Sequence, residues 1–253
     1  MSVRIGTNER GGTFFTEGET LAKVLREKTN LAPVKVCPVL SASVGGIKGL
    51  ENNDFEFAIS ASNWIGRALR GEDPFEEPIS LRMVAPANAG AMFFVVPKNS
   101  SLNTVDDLRG KRIAIGVRDG GMVQHIHTIF DALNIDFNEI EPLYETFPEG
   151  AKAMVAGEGD AQWRAPAPNQ SMTDLANRME LRVLPYGLGR LETILSKVSF
   201  YRQTIIPAKA FEGDGLEAPQ VGVLNVFVTH SGVPSNIVHT VTDTMVTNCL
   251  LYT

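Results

Sequence analysis

Two short glycine loops hold the residues of this sequence best suited to binding chemistry. The first runs Thr7-Asn8-Glu9-Arg10-Gly11-Gly12-Thr13 and follows the apolar run at Val3-Arg4-Ile5. The second, Arg118-Asp119-Gly120-Gly121-Met122, follows Arg112-Ile113-Ala114-Ile115. Each leads into a segment with helical periodicity. A helix start leaves its first N–H groups without intrahelical partners and carries about half a positive charge. Glycine just ahead of it lets a ligand approach the backbone. Gly12, Thr13, Gly120, Gly121 and Met122 are therefore candidate contacts for a carboxylate. Either loop alone also reads as an ordinary strand-to-helix connector, whereas two in matching places favour binding.

The neighbouring side chains extend that reading. Arg118 is the first candidate for a charged anchor, because its planar fork matches a carboxylate bidentately. An ion pair with Asp119 or a solvated role is the alternative. Arg10 and Arg164 are further anchors, and three arginines would suit a ligand with more than one carboxylate. Thr7 and Phe14 flank the first loop, and either Phe14 or Phe15 is expected to pack under the sheet. Gln162, Trp163 and Arg164 share one strand, where Trp163 either stacks on a ligand or fills the core. Ser60, Ser62 and Asn63 end a buried strand, the edge at which open α/β sheets bind ligands. They could equally cap the next helix. Ser43 is both a candidate contact and a candidate helix cap, and Asn88 is a further contact in a presumed crossing.

Catalysis has less support. His125 and His127 diverge by about 200° on a helix of 3.6 residues per turn, so they cannot hold one metal together. His125 borders an apolar stripe and reads either as a satisfied boundary residue or as one reaching a ligand. His230 and His239 have no partner motif. No Gly-x-Ser-x-Gly elbow, His-Glu-x-x-His or phosphate-binding P-loop is present. No metal and no cofactor are expected. If the chain is an enzyme, Glu9 or His125 would donate a proton while Arg118 holds a carboxylate, as a decarboxylase or lyase of organic acids would require.

The elements that must place these groups alternate between strand and helix. Strands are expected at VRIGT, VKVCPVL, FEFAISA, RIAIGV, DAQWRA, LRVLPY and VLNVFVTH. Helices are expected over residues 16–29, near 43–50, over 64–70, after Gly121, over 149–156, at MTDLANRM and over 234–250. LRMVAPANAGAMFFVVPK reads as two extended runs interrupted by Pro86 to Gly90, taken as a crossing between lobes, and EGDGLEAPQVG as a turn. This is an α/β pattern with a mostly parallel sheet in each half. The expected lobes are 1–88 with about 190–253, and 89–189, with the return crossing between about 186 and 222.

With 253 residues, 43% of them hydrophobic and 21% charged, the chain can bury a substantial core. A net charge of −6 argues against a nucleic-acid partner. Cys37 and Cys249 are the two cysteines, expected as free thiols with one bridge as the alternative. No apolar run is long enough to span a membrane. Met1-Ser2-Val3 leads straight into the first strand, so no export segment is read. The expected location is periplasmic if such a segment was removed, and cytoplasmic otherwise.

IGTNERGGTFFTEGETLAKVL resembles the Gly-Thr-Gly-Gly-Thr, aromatic-aromatic opening of TAXI-type solute receptors, which serve TRAP transporters. SASVGGIKGLENNDFEFAIS, SLNTVDDLRGKRIAIGVRDGG, and FYRQTIIPAKAF with VGVLNVFVTHSGVPSNIVHTVT are similar to later segments of that family, in the same order. The resemblance implies a two-lobed type II periplasmic-binding-protein fold with crossing hinge strands and ligand in the cleft. It also implies a small carboxylated solute (amino acid, dicarboxylate or aromatic acid) and a TRAP membrane permease as partner. Asn8-Glu9-Arg10, Arg118-Asp119 and Gln162-Trp163-Arg164 depart from the family pattern where ligand should sit. Family members typically extend some tens of residues further. Some enzymes share this fold, so the resemblance also leaves the lyase reading open.

Overall fold

A computed structural model describes residues 2–164, 170–206 and 218–248. The chain forms two compact units, Met1–Asn88 with Leu224–Thr253, and Ala89–Val223. It passes from the first to the second inside strand β4 (Leu81–Pro97) and returns inside strand β10 (Ala218–His230).

Unit 1 begins with β1 (Val3–Gly6), α1 (Thr13–Lys28), β2 (Val34–Cys37), α2 (Ala42–Glu51), β3 (Phe57–Ala61) and α3 (Ser62–Arg70), and ends with α8 (Ser235–Thr247). β1 lies between β2 and β3, parallel to both, and β3 pairs antiparallel with β10. All five residues of β3 are buried, which explains its unbroken apolar run. Leu21, Ala22 and Leu25 of α1 pack with Phe14 on Val3, Ile5, Phe57 and Ile59. Each such large side chain contributes about 1.5–3 kcal/mol by leaving water.

Unit 2 contains β5 (Arg112–Ala114), α4 (Gly121–Leu133), β6 (Glu141–Leu143), α5 (Phe147–Ala156), β7 (Ala161–Arg164), α6 (Gln170–Ala176), β8 (Leu181–Leu184), α7 (Arg190–Lys197) and β9 (Arg202–Ile206). β5 lies between β6 and β7, parallel to both, while β4 pairs antiparallel with β7 and β8. β9 pairs antiparallel with β10. Each unit thus has a three-stranded parallel core flanked by antiparallel pairings, an α/β fold on a mixed sheet.

Several sequence expectations change. β4 is continuous through Pro86, because that proline is exposed and its missing N–H interrupts no buried ladder. The segment from Ala218 to Gly222, read as part of a turn, is strand: Pro219 stands opposite Ile205 in the β9 pairing. α1 starts at Thr13 rather than Thr16. β6 and α7 were not read at all, being only three and eight residues long. Ser43 does not cap α2. It is the second residue of that helix, and its Oγ accepts the Ala61 N–H at 3.1 Å. Cys37 is a free, half-buried thiol, and Cys249 lies outside the described residues. Among the described residues no helix is long and apolar enough to cross a membrane.

Candidate functional site

In unit 1 the first glycine loop joins β1 to α1, and Gly12 is the helix N-cap with extended backbone (φ −81°, ψ 164°). A Cβ on Gly12 would lie 2.1 Å from Asn8 Nδ2, so glycine is needed for the loop to close this tightly. Asn8 is buried, and its Oδ1 accepts the Phe15 N–H at 2.8 Å. One of the amides offered to an anion is therefore taken by the chain's own side chain. Phe14 is buried in the core, whereas Phe15 is half-buried with the exposed Arg10 guanidinium 5.2 Å from its ring centre. Thr7 is buried, its Oγ1 donating to the Asn8 carbonyl.

The carboxyl end of β3 brings further groups to the same sheet edge. Ser60 is buried, with its hydroxyl turned to the Ser43 and Ala61 carbonyls. Ser62 opens α3 without a side-chain cap, and Asn63 holds a buried Oδ1 with no hydrogen-bond partner among the described residues. Asn225 of β10 stands opposite Ala61 and donates from Nδ2 to Asn88 Oδ1 at 2.8 Å. Asn88 Nδ2 in turn donates to Glu17 Oε1 at 2.7 Å. Burial pushes the Glu17 carboxyl up to about 7, against which the Asn88 hydrogen bond acts weakly.

In unit 2 the second loop joins β5 to α4, whose N-cap is Gly120 (φ −85°, ψ 151°) with no side-chain cap. The first protein-bound amide of this helix is Val123 N–H, donating to the Gly120 carbonyl, so Gly121 and Met122 N–H have no acceptor among the described residues. Arg118 is exposed and makes no ion pair with Asp119. Its guanidinium lies 3.8 Å from the ring centre of Tyr144, just past the end of β6. Stacking holds that fork while leaving its N–H edges free to donate.

The strand β7 turns two of its polar side chains inward. Phe93 stands opposite Arg164 and Val95 opposite Gln162, so all four share one sheet face. Arg164 is fully buried. It donates to Gln162 Oε1 at 3.1 Å, and its guanidinium lies over the Phe147 ring. Gln162 Nε2 donates to the Phe147 carbonyl at 3.0 Å. Trp163 points to the opposite face as a core residue, 4.5 Å from Phe94 between ring centres, with Nε1 donating to the Met122 carbonyl. It therefore buttresses the start of α4 from behind.

Of the histidines, His125 lies inside unit 2. His125 is buried, and its Nδ1 lies 2.6 Å from the Tyr201 hydroxyl. Burial holds the Tyr201 hydroxyl well above the usual phenol range, so it stays protonated near neutrality. Glu9 is half-buried in the first loop, its carbonyl accepting Gly12 N–H. No cluster of potential metal ligands occurs among the described residues.

Sequence reasoning missed Glu17, Tyr144 and Asn225, and named Asn8 only as part of the first loop. For Glu17 a signal existed: Phe14, Glu17 and Leu21 fall on one helical stripe, an acid where an apolar residue belongs. For Asn225 nothing in the local pattern marked it.

Comparison with known proteins follows the same lines. The NMT1-like family model matches residues 5–251. The fold is similar to that of the periplasmic aliphatic sulphonate binding protein SsuA from Escherichia coli, with a TM-score of 0.55 and 15% identity over 99% of this chain and 70% of that one. It is also similar to a structure from the glutathione import system of GshT and the cystine ABC importer of Streptococcus mutans (TM-score 0.60, 12% identity, 99% and 91% covered). A binding protein component of an ABC phosphonate transporter from Pseudomonas aeruginosa matches at a TM-score of 0.60, with 13% identity over 96% and 72% of the two chains.

Proposed function

The chain belongs to the NMT1-like family, and on that premise we propose that it is a solute-binding protein that captures a small carboxylated solute for a membrane transporter. Extracytoplasmic work is part of this reading, supported by the periplasmic aliphatic sulphonate binding protein that shares the fold. The finer assignment, a TAXI-type receptor with a TRAP permease as partner, rests on the motif resemblance.

One observation carries the ligand class. The start of α4 offers the Gly121 and Met122 amides, which have no acceptor among the described residues, three and four residues after an exposed, stacked arginine. Amides and a guanidinium together suit a carboxylate, which accepts from both at once. Arg164 Nη1 donates inside unit 2 to Gln162 Oε1 and to the Phe147 carbonyl, and so serves the site by fixing Gln162 and the start of α5.

The test is calorimetric titration of the purified chain with amino acids, dicarboxylates and aromatic acids. Ligand at about 100 times its Kd should also add roughly 2.7 kcal/mol to unfolding stability. Arg118→Ala is expected to weaken the best carboxylate more than about tenfold. An unchanged Kd would remove Arg118 from the site, and no binding by any acid would sink the proposal.

A further inference from the structure

The two places where the chain crosses between units are tied by one run of side-chain hydrogen bonds, all of it within unit 1. Asn88 is the last residue of unit 1 before β4 leaves it, and Asn225 is the second residue after β10 returns. Asn225 Nδ2 donates to Asn88 Oδ1, and Asn88 Nδ2 donates to Glu17 Oε1 on α1. Both ends of the Asn88 amide are used, so one helix fastens both crossing strands. A two-unit chain bends at the few residues where it crosses, and whatever is tied there limits how freely the backbone turns.

The tie ends on a group that can change its charge. Glu17 Oε2 is closed to solvent and has no hydrogen-bond partner among the described residues, so an ionised carboxylate here would leave one oxygen bare. No neighbouring charge offsets that. The residues one turn away on α1 (Thr13, Phe14, Thr20 and Leu21) are uncharged. The elements packed with α1 carry Arg4 on β1, Lys35 and Cys37 on β2, Arg82 on β4, His230 on β10, and His239 and Asp243 on α8, and none of them moves this carboxyl. Burial pushes it up to about 7, and the Asn88 hydrogen bond, which favours the charged form, is the smaller influence.

We propose that Glu17, Asn88 and Asn225 form a pH-operated strap, which holds both crossing strands to α1 while the Glu17 carboxyl is protonated and releases them once it ionises. The side chain is only half-buried, so a rotamer change takes the charged carboxylate to water. Asn88 then loses its acceptor, and the Asn88–Asn225 pair loses its anchor on α1. The closed strap binds the proton more tightly than the open one, so it is secure in acid and weakens as pH rises through about 7. With an ordinary carboxyl of 4.5 in the open form, the opening constant rises about tenfold from pH 6 to pH 8. The strap goes beyond the solute-binding reading and is independent of which solute the chain captures.

Amide hydrogen exchange on the ligand-free chain, corrected for the intrinsic rate at each pH, tests it. Protection in residues 87–90 and 223–227 should be lower than in β1 and should fall about tenfold between pH 6 and pH 8. About 1 M urea should leave it unchanged, because a local opening exposes little surface. Glu17→Gln, which cannot ionise, should keep protection at both crossings constant across that pH range. The wild-type comparison decides alone if the variant does not fold. Protection that ignores pH overturns the strap. So does protection that falls with urea as steeply as in β1, since the crossings then open only with the whole chain, and so does a wild-type loss in Glu17→Gln. Each of these results leaves the carboxylate reading standing, whereas failure of every acid to bind sinks that reading without touching the strap.

Discussion

In unit 1 the amide of the third residue of α1 is taken by a side chain, Asn8 Oδ1 accepting the Phe15 N–H, and a half-buried acid lies one turn on. In unit 2 the equivalent third amide, Val123 N–H, goes to the Gly120 carbonyl instead, and the start has an exposed arginine beside it, with a second arginine buried on the neighbouring strand. The two loops look equivalent in sequence, each a glycine pair ahead of an apolar stripe. Their difference lies in the residues that precede the glycines and in what the sheet edge brings up to them. One edge has become acidic and amide-rich, the other basic. A pair of matching motifs need not mean a pair of matching subsites.

The largest effect should come from the buried arginine of unit 2. Arg164→Ala is expected to cost about 3 kcal/mol or more in urea unfolding, since it leaves Gln162 Oε1 without its donor and opens space over Phe147. A loss below about 1 kcal/mol would show that the guanidinium is not held there. The buried acid of unit 1 gives the opposite signature, a pH slope. Its folded-state carboxyl lies near 7 against an ordinary 4.5, so the folded chain holds that proton more tightly than the unfolded chain does. Stability from this group is therefore full below about pH 4.5 and lost as pH rises to about 7, by up to roughly 3 kcal/mol. Glu17→Gln should remove the slope, read as urea midpoints at about pH 4.5 and pH 8 converging relative to wild type.

Smaller effects bear on the loops themselves. Asn8→Ala should cost about 1 kcal/mol through the lost Phe15 cap, measured by thermal unfolding. No loss would mean that the two helix starts are alike after all. Arg118→Ala should change stability by less than about 0.5 kcal/mol, because the side chain is exposed, while still weakening carboxylate binding. A large stability loss would instead give the Tyr144 stack a structural purpose.

Long periodic segments were legible. The α1 stripe of Leu21, Val24 and Leu25 and the apolar run of β3 follow directly from burial on one face or on both. Three-residue β6 and eight-residue α7 carry too few turns of pattern to be read. The continuity of β4 past Pro86 depended on exposure at that residue, which is a tertiary fact. Among the site residues, Gly12 and Gly120 sit at the helix N-caps where their spacing placed them. Trp163 and Arg164 could be placed only once β7 was known to pair with β4, because strand register decides which face a side chain takes.

The order of residues along this chain settled the alternation of strands and helices and the two glycine N-caps, because periodicity and backbone freedom are local properties. It could not settle which amides stay unpaired or which acid loses its water. Asn88 and Asn225 are 137 residues apart, and Arg164 reaches the Phe147 carbonyl only after two strands and a helix have packed. Hydrogen-bond satisfaction and desolvation depend on neighbours in space, and those are chosen by the tertiary structure alone.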